Sequence, residues 1–155
     1  MATQANVLDP DDMNSLNMDN LEKITASVRK RSVYEDWIDN LSFDANAKNI
    51  MKQVLDLTFT VGNKIYQIGK AIIEFIMSLK ESYHKTFDLA ALGFIFSLLV
   101  LAIPVIGKFL FPIIMPIFVA VGGIIGLTYD LGTEVFIKSK ISDFFGIRTE
   151  KNKEA

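Results

Sequence analysis

Apolar residues recur at Ile50, Val54, Leu57, Val61, Ile65, Ile68, Ile72, Phe75 and Leu79. Steps of three and four place them on one stripe of an α-helix. Lys52, Asp56, Asn63, Lys70 and Glu74 lie mostly off that stripe, and Gly62 or Gly69 is where so long a helix would break. The stripe suits a helix covering an apolar core and equally one lying in a membrane interface. Two shorter amphipathic helices are expected before it. Asn14 or Asn17 is a candidate N-cap for a helix near Met18 to Arg31, with Leu21, Ile24 and Val28 on one face. Arg29, Lys30 and Arg31 close it, where the helix dipole favours cations. The next covers Val33 to Leu41, with Tyr34, Trp37, Ile38 and Leu41 as its apolar side. After Asp130 the pattern is amphipathic again, through Leu131, Val135, Ile137, Ile141, Phe144 and Phe145, and Gly146 ends it.

Between these regions polar positions vanish. Leu89 to Gly107 and Phe109 to Tyr129 carry no charge, over 19 and 21 residues, with Lys108 between them. About 20 apolar residues cross a hydrocarbon core of about 30 Å. Pro104, Pro112 and Pro116 argue against one continuous helix, because proline lacks a backbone donor and clashes with the preceding turn. The pattern therefore predicts a hydrophobic hairpin: one helix from Leu89 to Val105, a tip at Gly107 and Lys108, and a second helix from Leu110 to Tyr129. Leu89, Phe94, Phe96, Leu99, Pro104, Lys108, Pro112, Pro116, Gly122 and Gly126 are its candidate membrane residues. Gly122 and Gly126 form a small-xxx-small pair that would let another helix approach closely. The expected fold class is all-α: a bundle of amphipathic helices with a long, membrane-inserting hydrophobic helical hairpin. Residues 1–13 read as a disordered N-terminus, 14–87 as the amphipathic region, 88–130 as the hairpin, 131–147 as a C-terminal helix and 148–155 as a charged tail.

Charge refines the expectation. Lys70, Lys80 and Lys85 precede the hairpin and Lys138, Lys140 and Arg148 follow it, against Lys108 alone at the tip. Insertion from the cytoplasm would leave both termini on that side, in a bacterial inner membrane. No cleaved signal peptide is evident, since the opening segment is polar and acidic. Overall, sixteen basic residues against eighteen acidic ones offer no basic stripe for nucleic acid. The absence of cysteine excludes disulfides, thiolate metal sites and a cysteine nucleophile. One histidine, His84, sits in a charged linker and cannot supply a two-His metal site. Glu35, Asp36 and Asp39 read as a solvated face. Gly122, Gly123 and Gly126 lack the following Lys-Ser/Thr of a phosphate loop. No catalytic set, cofactor site or metal site is expected, so the chain does not read as an enzyme.

Three features resemble the C-terminal part of a pore-forming colicin domain. They are Val33-Tyr34-Glu35-Asp36-Trp37-Ile38-Asp39-Asn40-Leu41, the apolar run containing Gly93-Phe94-Ile95-Phe96-Ser97-Leu98-Leu99, and the exit Gly126-Leu127-Thr128-Tyr129-Asp130 leading to Phe145-Gly146-Ile147. The similarity runs from about Asp19 to Ile147. It implies a hairpin buried in a soluble helical bundle, which inserts into a target membrane while amphipathic helices gate an ion channel.

The leading expectation is thus a colicin-like, bacteriocin-type pore former, with Lys64, Lys70 and Glu74 as candidate pore-lining or gating residues. The alternatives are a small integral membrane structural or adaptor subunit and a holin-like permeabilising protein. The other helices expected, about four, are not expected to sheathe two long apolar ones. The expected partners are therefore a lipid bilayer, a second copy in a homo-oligomer, or a membrane protein.

Overall fold

A computed structural model of the chain describes residues 6–14, 16–82, 87–121 and 131–146. Among these, the protein is mostly helical, with a small three-stranded sheet against the bundle. Strand β1 (Asn6–Val7) and helix α1 (Pro10–Asn14) occupy part of the segment expected to be disordered. Helix α2 (Met18–Ala26) starts where Asn17 accepts a hydrogen bond from the Asn20 backbone N–H. It is shorter than expected. The chain breaks after Ser27, and α3 (Arg31–Asp39) begins inside the basic cluster. Helix α4 (Ala45–Leu55) is capped by Asp44, whose carboxylate accepts from the Ala47 N–H.

The long amphipathic stripe is not one helix. It is divided into α4, a hairpin of β2 (Phe59–Val61) and β3 (Lys64–Tyr66), and α5 (Ile68–Ser82). Gly62 turns the hairpin at φ +60°, a conformation that costs glycine little. Phe59 pairs with Tyr66 and Thr60 with Ile65, and β1 joins β2 in parallel. Gly69 lets α5 cross α4 closely: a β-carbon there would stand 1.9 Å from the Val54 carbonyl oxygen.

The apolar region forms α6 (Leu89–Ala102) and α7 (Pro104–Ala120), which pack on each other. The break falls at Ile103, not at Gly107 and Lys108. A residue before proline is pushed out of the helical region, and Ile103 has φ −129° and ψ 88°. Pro104 then begins α7, where its missing N–H would have been unpaired anyway. Gly107 lies within α7 against Val100 of α6. Helix α6 is buried nearly all round, from Ala91 to Phe96 and again at Leu98 and Leu99. It packs on α7 and on α8 (Leu131–Phe145). An all-round apolar helix is either a membrane span or the centre of a core. Length and surroundings decide here. Fourteen residues reach about 21 Å at about 1.5 Å per residue, short of a bilayer's hydrocarbon.

No helix among the described residues is long and apolar enough to cross a membrane. This finding overturns the expected spanning hairpin, and with it the membrane-inserting pore, the integral adaptor subunit and the holin-like reading. Most apolar residues of α6, from Ala91 to Phe96 with Leu98 and Leu99, are core residues. Part of the expected second helix, with Gly122 and Gly126, lies outside the described residues.

Candidate docking face

Helix α7 turns one side to the core, through Val105, Ile106, Leu110, Ile114 and Ile117. Its other side carries Pro104, Lys108, Phe111, Pro112, Met115, Pro116, Val119 and Ala120, all exposed. The outward face of a surface helix ordinarily carries charged and polar residues. Here it has one charge. Phe111, Met115 and Val119 are 42%, 48% and 73% exposed, and Leu101, at the α6 end of the corner, is 75% exposed. The Phe111 ring lies 5.8 Å from that of Phe118, so the aromatic surface is braced from within α7. Proline at 112 and 116 removes the N–H groups that would close helical bonds to the Lys108 and Pro112 carbonyls. Both prolines are exposed on the outward side.

The two ends of this face differ in charge. Near its start, the Lys108 ammonium stands 3.5 Å from Asp12 and 5.1 Å from the Phe109 ring centre, with the side chain still 55% exposed. Near its end, Pro116, Ile117 and Ala120 meet Leu89 and the first turn of α4 in a cleft of about 330 Å³. Ile50, Ile117 and Leu89 make its apolar walls, and Asp44, Asn46 and Asn49 its polar rim. One end thus presents the Lys108 ammonium beside Asp12 of its own chain, and the other a single carboxylate, Asp44, with apolar surface between.

The residues expected to line a pore do not share a path. Lys64 is on β3, 2.6 Å from Glu22 and over the Tyr66 ring. The pair with Glu22 raises its ammonium above the usual lysine range. Lys70 and Glu74 are on α5. Lys70 lines an open recess with Arg31, Asp56 and Gln67. Glu74 accepts from the Arg29 guanidinium at 2.9 Å and from the Tyr34 hydroxyl at 2.8 Å. Tyr34 is wholly buried, and its oxygen also accepts from the Arg29 backbone N–H at 2.9 Å. Burial is the main cause that lifts its phenol above the ordinary tyrosine range. This network ties the α2–α3 link to α5, and Arg31 adds ion pairs to Glu35 and Asp56. The basic cluster is therefore spent largely on internal contacts.

Of the expected hairpin residues, Phe94, Phe96 and Leu99 are buried in α6 and Leu89 is at the cleft. Pro104, Lys108, Pro112 and Pro116 come together on the outward face of α7. Phe111, Met115, Val119 and Asp44 were not singled out by the pattern. In a segment apolar on every side, periodicity cannot say which side faces out. No group of three or more metal-ligating side chains occurs among the described residues. Comparison with protein-family models, curated proteins and solved structures finds no match.

Proposed function

We propose that the chain is a helical docking module, acting by contact through the outward face of α7 and not by catalysis. The observation that carries this is the run Phe111, Pro112, Met115, Pro116 and Val119, exposed along a helix whose inner side already fills the core. Contiguous exposed apolar surface with a polar rim marks an interaction site on a soluble domain. The resemblance to colicin channel domains enters as a proposal about architecture alone, an apolar central helix sheathed by amphipathic ones. Pore formation does not come with it.

A surface kept for docking can be made polar without loss of the fold. Val119→Asp leaves the circular dichroism unchanged and the stability within about 0.5 kcal/mol of the native chain. In the dilution limit it loses most of the binding of an apolar fluorescent dye. Val135→Asp, at an exposed apolar position on α8, keeps it. Equal dye binding by both variants contradicts the reading.

A further inference from the structure

We infer that the occupant of the α7 face is a second copy of this chain, paired α7 to α7 in antiparallel orientation about a two-fold axis. The inference rests on the docking reading above and adds the partner and the register. Its ground is charge complementarity. Lys108 stands at one end of the face, and Asp44 lines the same cleft as Ala120 at the other. The twelve steps from Lys108 to Ala120 span about 18 Å of helix. An antiparallel copy brings each Lys108, half-exposed beside Asp12, towards the other's Asp44 at once. A two-fold interface is self-complementary in this sense: residue i meets j and j meets i.

The register follows from the same condition. With Pro112 opposite Met115 of the other copy, Phe111 faces Pro116 and Lys108 faces Val119. That leaves Lys108 within a turn of Ala120, whose cleft Asp44 also lines. Apolar groups then meet apolar groups along the centre, and two Lys108–Asp44 pairs close the ends. Asp44 can serve both purposes, since an ionised carboxylate has four lone-pair positions and the Ala47 N–H takes one. A lipid surface fits less well. Interfacial helices flank their apolar side with several lysines or arginines, whereas this face has Lys108 alone, with the Asp44 carboxylate at its far end.

The test uses sedimentation equilibrium of the full chain and three variants. The native chain, of 17.4 kDa per copy, forms a reversible dimer. Lys108→Glu weakens it about tenfold or more, by setting like charges opposite each other twice. Asp44→Asn keeps the cap on α4, because asparagine caps as well as aspartate. Alone it weakens the dimer by a smaller factor. Added to Lys108→Glu it strengthens the dimer, because it then removes a repulsion. A change confined to the Lys108–Asp12 contact within one copy cannot produce that reversal of sign. Indifference to Lys108→Glu, or weakening by Asp44→Asn in both backgrounds, overturns the register. A native chain that stays monomeric overturns the second copy as occupant, and co-flotation of that monomer with anionic vesicles would assign the face to lipid. Neither result touches the dye measurement on Val119→Asp, so failure of the partner and failure of the docking face remain distinct.

Discussion

At the scale of single residues, the protein depends on a few close approaches that composition does not reveal. Gly69 is one. Its missing side chain lets α5 lie against the end of α4, with its N–H 2.8 Å from the Leu57 carbonyl. Gly69→Ala drives a methyl group into the Val54 carbonyl and should destabilise the fold by about 3 kcal/mol, read by urea unfolding. Tyr34 is another. Tyr34→Phe removes the hydroxyl that joins Arg29 to Glu74 and leaves the Arg29 N–H without that acceptor. The expected cost is about 1–3 kcal/mol near neutral pH. The pH dependence has a definite sign. The folded phenol is raised above its unfolded value of about 10, so its contribution is complete below pH about 10. It declines above that, as the unfolded chain ionises first. Lys64, raised by Glu22, acts in the same direction. Melting temperature should therefore fall above pH about 10 in the native protein and fall less steeply in Tyr34→Phe. A parallel decline in the two proteins would contradict the assignment.

At the scale of elements, amphipathic patterns were legible and the apolar region was legible only as helical. Asn17 as a cap, the apolar side of α3 and the end of α8 follow local rules, and Gly146 stops α8 with φ +67°. The β2–β3 hairpin was missed because its apolar residues also satisfy a helical stripe. Its signal was present in Phe59-Thr60-Val61-Gly62-Asn63-Lys64-Ile65-Tyr66, where β-branched and aromatic residues flank a two-residue Gly-Asn turn. The length of α6 and α7 was misjudged because absence of charge is shared by core and membrane helices. Pro104 set the true break, through its effect on Ile103. The candidate site was visible in the sequence only as Lys108, Pro112 and Pro116, read there as residues of a membrane hairpin. It was illegible at Phe111, Met115 and Val119, whose exposure depends on which side of α7 the core takes. The interior prolines give a prediction at this scale. Proline inside a helix costs about 3 kcal/mol relative to alanine. Pro116→Ala should thus raise the melting temperature, since it restores an N–H to the Pro112 carbonyl on the outward side. A lower melting temperature would show that Pro116 contributes to the fold and is not held for the surface it presents.

At the scale of the whole molecule, an apolar helix is placed at the centre and another at the boundary. Helix α6 buries most of its hydrophobic surface inside the bundle, against α7 and α8, and α5 meets α8 where Phe75 lies 5.4 and 5.6 Å from Phe144 and Phe145. Helix α7 buries one side and leaves the other for contact. The most direct test of that division uses the absence of cysteine from the chain. Met115→Cys and Val135→Cys each carry a single thiol at a comparably exposed position, on α7 and on α8. A short bis-maleimide should link Met115→Cys into dimers rapidly and at low protein concentration, while Val135→Cys stays monomeric. Equal linking of the two variants, or linking of neither, would contradict docking between copies through α7.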